Sequence, residues 1–361
     1  METIHVRSML FDYDVMVGRN IMAELPNLIS AIDSGGAMVV VTDDGVDSHF
    51  PELPSLQSAS HRIVLNSGEQ LKSFANAQSL VEKLTEWKMA RDGLLVAFGG
   101  GVVGDLTGFV ASIYLRGIAW VVVPTTLLSQ VDSSIGGKVA VNLPAGKNLV
   151  GAFYPPRLVL SDVSLLSQLP ESEFISGLGE VIKTALIGDP QLFELLEQRL
   201  DAVLARDLDI LQYMVSACAR VKAGVVSRDE RDTGERAILN FGHTIAHAIE
   251  GAEGFGQLPH GIAVLYGIQV ALRLSEECCG LPTATGDRIR KLIQKLPIDP
   301  KSSLPPFESL ESFLIHDKKV RSSQQGAPCR WALLREIGKP VTGVTIPPAQ
   351  VSSAYKSLWS M

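Results

Sequence analysis

Short apolar runs rich in β-branched residues punctuate the first 160 positions, at residues 38–42, 62–65, 94–98, 119–123 and 158–160. They are apolar on both faces and separated by stretches of helical periodicity, which predicts a buried, mostly parallel sheet. Past Pro170 these runs thin out and a helical period takes over. Segments 191–205, 210–226, 238–251 and 262–277 predict amphipathic or buried helices. The expected fold is an α/β N-terminal, Rossmann-like nucleotide-binding domain over residues 1–165, followed by a mainly α-helical C-terminal domain over 166–361. The Pro-rich stretch at 304–307 reads as a loop.

Size and composition agree. At 361 residues a single core has usually stopped growing, so two domains are expected. Hydrophobic residues at 46% against charged residues at 20% mark a globular chain rather than a disordered one. Thirty-nine Asp and Glu outnumber 32 Lys and Arg, which leaves no basic footprint for a nucleic-acid backbone. No apolar stretch reaches the roughly 18 residues of a membrane span. The opening METIHVRSML, with its early Glu, is a poor signal peptide. Cys218, Cys278, Cys279 and Cys329 form no C-x-x-C pair, which fits a reducing compartment. A soluble, cytoplasmic enzyme is expected.

The stretch LLVAFGGGVVGD at 94–105 satisfies G-x-G-x-x-G through Gly99, Gly101 and Gly104, after an apolar strand and before a helix-like LTGFVAS. Such a loop lets backbone amides and a helix N-terminus approach a pyrophosphate. The acid expected about 20 residues downstream to hold the ribose is absent there. Asp43, at the end of the run VVVTDD, is the alternative; a helix or turn cap is an equal reading of it. VPTTLLSQVDSSIGGKVAVN adds Thr125, Thr126, Asp132 and Lys138, and PAGKNLVGAF adds Lys147 and Asn148. Hydroxyls, ammonium groups and glycine amides are what anionic oxygens require, so a phosphate-rich ligand is expected.

Three of the seven histidines, His243, His247 and His260, fall within eighteen residues. LNFGHTIAHAIE spaces His243 and His247 four apart on one helical face. Thr244 stands where a zincin has Glu, so the motif is not that of a zincin. A catalytic zinc commonly takes two His and one carboxylate and leaves a position open. Spacing allows His243, His247 and Glu250, or His243 and His260 with a distant acid. GLGEVIK offers Glu180, with Lys183 on the next turn, and Lys222, Arg236 and Asn240 add polar groups. A lone His is more often a packed or capping residue; three together with these neighbours point to a site.

The strings SGEQLKS, GGGVVGDLTGFVAS, RGIAWVVVPTTLLSQVDSSIGGKVAVN, GKNLVGAFYPP, GLGEVIK, RVKAGVV, LNFGHTIAHAIE and HDKKV, in this order across nearly the whole chain, resemble the 3-dehydroquinate synthase family. The resemblance implies Glu180, His243 and His260 as ligands of Zn2+ or Co2+, with His247 facing substrate. It implies NAD+ against Asp43, Ser67, Gly68, Glu69, Gln70, Leu71, Lys72, Gly101, Val102, Val103, Gly104, Asp105, Thr125, Thr126, Lys138, Lys147, Leu165, Leu166, Ser167 and Gln168. It implies substrate held by Asp132, Lys138, Asn148, Lys183, Lys222, Arg236, Asn240, His247 and one of Lys318 or Lys319. Arg116 would reach the substrate phosphate of a neighbouring subunit, so a homodimer is implied.

The implied reaction is that of a carbon–oxygen lyase, the second step of the shikimate route to chorismate and aromatic amino acids. It converts 3-deoxy-D-arabino-heptulosonate 7-phosphate to 3-dehydroquinate and phosphate by transient oxidation, elimination, re-reduction and aldol closure. A substrate with both a carboxylate and a phosphate suits a pocket rich in Lys and Arg within an acidic protein. Three positions depart from the family pattern: Thr184 stands for Tyr, Ala246 for Gly and Ile262 for Glu. Ile262 lies close enough to His260 to alter the surroundings of a metal ligand.

Overall fold

The computed structural model describes all residues except 33–34, 52–55, 58, 145, 255–256, 299–303, 320–329 and 361, together with the side chains of 315–319 and 359–360. Cys329 lies outside the described residues. The chain forms two compact units, Met1–Pro170 with Arg206–Arg231, and Glu171–Ala205 with Asp232–Met361. The single expected boundary at residue 165 differs from this division, because the helix Leu208–Arg228 returns to the first unit.

The first unit is built on strands β1 (Glu2–Arg7), β2 (Asp12–Gly18), β3 (Met38–Asp43), β4 (His61–Leu65), β5 (Leu94–Gly99), β6 (Ala119–Pro124), β7 (Lys138–Leu143), β8 (Gly146–Phe153) and β9 (Leu158–Asp162). Seven of them form one sheet in the order β1-β2-β9-β6-β5-β3-β4. Only β1 runs antiparallel to its neighbour. Val39, Val40 and Val41 are each about 1% exposed, so both faces of β3 are covered, as the unbroken apolar runs require. On one face Val40, Val96, Phe98, Val121 and Leu160 pack with Leu25 and Ile29. On the other, Val41 and Leu95 meet Leu80, Leu84 and Val110 of the helices Phe74–Glu86 and Gly101–Ile113.

All five strands read from the apolar runs form. β1 and β2 were not expected, because β1 alternates exposed and buried positions and lacks an apolar run. The helix Leu208–Arg228 packs on both of them. Asp207 caps this helix through the Asp209 and Ile210 N–H groups, and Arg220 pairs with Glu2 at 2.5 Å. The lysine-bearing loops form the hairpin β7–β8, which pairs Lys138 with Phe153.

The second unit is mainly helical, with Glu171–Gly188, Pro190–Leu204, His243–Glu253, His260–Cys278, Thr283–Gln294, Phe307–Lys319 and Pro348–Lys356. A two-stranded hairpin, β10 (Arg330–Glu336) and β11 (Lys339–Thr345), completes it. The helix His260–Cys278 buries nearly every residue from Ala263 to Ser275 and is its central element. The helix expected over 238–251 is split. A 3-10 turn, Glu235–Asn240, ends before Gly242, whose φ of 82° starts a new helix at His243. Among the described residues no helix is long and apolar enough to cross a membrane.

Candidate active site

Glycine contacts bring the histidines and the acid together in the second unit. A Cβ on Gly261 would overlap the Ser176 carbonyl, and one on Gly179 would overlap the Gly261 backbone. The helices carrying Glu180 and His260 therefore cross at backbone contact, sealed by the Gly261 N–H donating to Ser176 Oγ at 3.0 Å. Gly267 lies equally close to the Gly242 carbonyl, which draws in the helix that begins at His243.

At the crossing His243 Nε2 lies 3.2 Å and His260 Nε2 3.3 Å from Glu180 Oε1. The opposite ring nitrogens are engaged elsewhere: His243 Nδ1 meets the Phe241 carbonyl at 3.3 Å and His260 Nδ1 meets Glu250 Oε2 at 3.3 Å. A partner on Nδ1 fixes the tautomer that leaves Nε2 as a lone-pair donor. Glu180 is wholly buried, and neither of its oxygens has a hydrogen bond of good geometry. Three ligand atoms thus converge within 4.8 Å of one another, which is the two-His, one-carboxylate set of an open zinc-type site. Burial pushes the Glu180 carboxyl up, but Lys183 at 2.9 Å and His243 outweigh it and hold the group well below the usual carboxylate range. Burial would lower His260, yet its close approach to the Glu180 and Glu250 carboxylates pushes it up to about 10. The field that holds a proton there also favours a divalent cation, so this cluster fits a metal.

Of the two arrangements open from spacing, the structure converges His243, His260 and the distant Glu180. His243, His247 and Glu250 do not form a convergent set among the described residues. A second set, His247, Glu250 and His260, shares His260 with the first. His247 is exposed and packs its ring 5.4 Å from that of His243. Arg236, Lys183 and Thr184 are buried in the same unit, and Asn240 closes the 3-10 turn before Gly242. Lys318 and Lys319 lie on the helix Phe307–Lys319, but their side chains lie outside the described residues.

The first unit carries the phosphate-suited residues. Five of its six parallel strands, β4-β3-β5-β6-β9, follow the order 2-1-3-4-5 when numbered along the chain, so the order reverses between β3 and β5, where ligands of open α/β sheets collect. Asp43 ends β3 and the glycine loop follows β5 at this switch point. Asp43 Oδ1 also caps the next helix by accepting the Val46 N–H at 2.9 Å, so the capping reading is realised. Burial pushes its carboxyl up. Gly99, Gly100, Gly101, Gly104, Asp105, Ser133 and Lys138 line a shallow open hollow. Added Cβ atoms at Gly100 and Gly101 would press on Thr126 and Ser133, so the hollow depends on glycine. Thr125 Oγ1 and Ser133 Oγ are buried without a partner, which suits a ligand with anionic oxygens. The residues fit a dinucleotide.

Lys72 in the turn after Ser67 is buried and binds both Asp105 and Asn148 Oδ1. Burial pushes the Asp105 carboxyl up, against the pull of Lys72. Lys222 Nζ reaches Asp132 Oδ1 at 2.7 Å and the Asp132 carbonyl at 2.6 Å. Both residues belong to the first unit, which corrects the placement of Lys222 in the helical domain. Leu165 to Gln168 form a 3-10 turn in which Leu166 is fully buried. Arg116 is exposed at φ 69°, after Leu115 at 48°, and among the described residues nothing pairs with it. The sequence patterns did not single out Ser133 or Asn142. Ser133 sits inside the quoted VDSS string, and Glu250 was weighed as a ligand rather than as a partner of His260.

Residues 62–176 match the 3-dehydroquinate synthase N-terminal family and residues 177–320 the 3-dehydroquinate synthase C-terminal family. The chain belongs to the 3-dehydroquinate synthase family. It is 42% identical over 350 residues to the 3-dehydroquinate synthase of Acidithiobacillus ferrooxidans, covering 96% of this chain and 95% of that protein. Among solved structures it is similar to 2-deoxy-scyllo-inosose synthase complexed with carbaglucose-6-phosphate, NAD+ and Co2+, with a TM-score of 0.86, 27% identity and 99% of each chain covered. It is also similar to 2-epi-5-epi-valiolone synthase from Streptomyces hygroscopicus with NAD+ and Zn2+ bound, with a TM-score of 0.84, 25% identity and 97% of each chain covered. The 3-dehydroquinate synthase match spans both units, so the glycine edge and the Glu180–His243–His260 cluster lie within one family pattern.

Proposed function

We propose that this chain converts 3-deoxy-D-arabino-heptulosonate 7-phosphate to 3-dehydroquinate and phosphate, as an NAD+- and divalent-metal-dependent carbon–oxygen lyase. The observation that carries the reading is the convergence of Glu180, His243 and His260 in a chain of this family. In this reading those three side chains hold the metal through one carboxylate oxygen and the two Nε2 atoms. A metal bound there would lower the pKa of substrate hydroxyls, and NAD+ would take up and later return one hydride.

The chain's own residues bind and orient. Asp43, the turn Ser67 to Lys72, Gly101 to Asp105, Thr125, Thr126, Lys147 and Leu165 to Gln168 serve the cofactor. Lys138 serves both cofactor and substrate. Asp132, Asn148 and Lys222 in the first unit, and Lys183, Arg236, Asn240 and His247 in the second, supply the cations and hydrogen bonds that a carboxylate and a phosphate need. One of Lys318 and Lys319 joins them. Lys222 is held against Asp132 at 2.7 Å, where its ammonium group can meet an anionic group. A cytoplasmic homodimer is part of the reading, with the exposed guanidinium of Arg116 directed to the partner's substrate phosphate.

The test is phosphate release from the heptulosonate phosphate with NAD+ and Zn2+ or Co2+ present. The expected outcome is stoichiometric phosphate and 3-dehydroquinate with no net change in NADH absorbance. Steady NADH accumulation would instead mark a net alcohol dehydrogenase, and no phosphate release would reject the assignment.

A further inference from the structure

A single side chain ties together two segments of the first unit that the sequence offers separately. Asn142 lies near the end of β7. Its backbone N–H donates to the Lys72 carbonyl at 2.8 Å, beside the bridge that it forms with Ser73. Both ends of its amide are used. Nδ2 donates to Glu69 Oε1 at 2.7 Å, and Oδ1 accepts the backbone N–H of Asn148 at 2.9 Å. The orientation is determined, since a flipped amide would set oxygen against the Glu69 carboxylate and NH₂ against the Asn148 N–H.

Asn148 sits at φ 56°, a left-handed conformation that Asn tolerates best when local hydrogen bonds hold it. Its own Oδ1 accepts from Lys72 Nζ, which also binds Asp105 at the glycine-loop helix. The links close a ring from Glu69 through Asn142 and Asn148 to Lys72, which returns along the chain to Glu69. A ligand that orders the turn at Ser67 to Lys72 therefore also orders Asn148, and the second ligand has less left to order.

We propose that Asn142 is a positioning residue that makes the binding of NAD and of the sugar phosphate interdependent. This rests on the reading above of the turn as facing cofactor and of Asn148 as facing substrate. Neither ligand need touch Asn142 itself.

The experiment titrates NADH by fluorescence into the Zn2+-loaded protein, with and without 3-deoxy-D-arabino-heptulosonate 7-phosphate; the reduced cofactor cannot oxidise the substrate, so no turnover intervenes. The ratio of the two dissociation constants measures the coupling. The unaltered protein should bind NADH about 5-fold or more tightly with the sugar phosphate present. In Asn142→Ala that ratio should fall towards one, whereas a merely structural role would weaken both affinities and keep the ratio.

Asn142→Asp keeps the acceptor for Asn148 but opposes Glu69, so it should lose coupling. Adding Glu69→Gln restores a donor to that carboxylate and should recover most of it. This pair decides the matter if Asn142→Ala does not fold. An unchanged ratio in Asn142→Ala, or a double variant no better than Asn142→Asp, overturns the proposal. So does NADH binding to the unaltered protein with a ratio of one. An unaltered protein that binds no NADH overturns the functional reading instead.

Discussion

His260 and His247 stand seventeen positions from and four positions after His243, yet their environments separate them. His260 presents Nε2 to Glu180 at 3.3 Å, whereas His247 is exposed. His260→Ala should therefore lose both activity and bound metal, while His247→Ala should lose activity and keep a stoichiometric ion. Metal analysis of the two purified variants decides between them, and metal loss in the His247 variant would favour the set built on His247 and Glu250. The proton on His260 gives a second outcome. Its pKa of about 10 lies above the unfolded value, so in the metal-free protein its stabilising contribution is complete below the unfolded pKa. That contribution fades as pH rises towards 10. A metal must displace this proton, so binding near pH 7.5 should release about one proton from His260. Calorimetry in buffers of different ionisation enthalpy measures this release, and His260→Ala removes it from any residual binding.

Helix packing sets these side-chain positions. Gly261 and Gly179 let two helices touch backbone to backbone, and a Cβ on Gly261 would strike the Ser176 carbonyl rather than a yielding side-chain tip. Gly261→Ala should cost about 1–3 kcal/mol through overpacking and should weaken metal binding as His260 moves away from Glu180. Gly224, on the helix Leu208–Arg228, meets only the tip of Arg228 at 3.4 Å. Gly224→Ala should be neutral or stabilise by up to about 1 kcal/mol, since Ala is the better helix former. Thermal melts of the two variants, with metal content measured in parallel, test whether glycine matters for contact or only for sequence.

The proposed homodimer is the setting for Arg116. Its planar guanidinium fork suits a phosphate, and Arg116 is exposed as the second of two successive left-handed residues, after Leu115 and before Gly117 at φ 120°. Arg116→Ala and His243→Ala proteins should each be nearly inactive as homodimers. After subunit exchange at equal mixing, roughly half the dimers are hybrids with one complete site each, so activity should return to roughly a quarter of the unaltered level. No recovery after verified exchange would leave Arg116 with a role inside its own chain.

The apolar runs at β3, β5, β6 and β9 were legible in the chain because strands buried on both faces need no partner to declare themselves, and β4 was legible from its short β-branched run although it is a half-exposed edge strand. The glycine loop and the clustered histidines were legible for a related reason: close approach and metal ligation each demand particular residue types at short spacing. Strand β1 was not, since an alternating edge strand becomes distinct from a polar loop only once the helix Leu208–Arg228 covers it. Nor could spacing choose Glu180 over Glu250, or place Lys222 beside Asp132 in the first unit. These are contacts between segments far apart in the chain, and local pattern carries no information about which helix crosses which. The glycines at positions 179, 242, 261 and 267 looked like ordinary interruptions; packing makes them the points at which two His and one carboxylate meet.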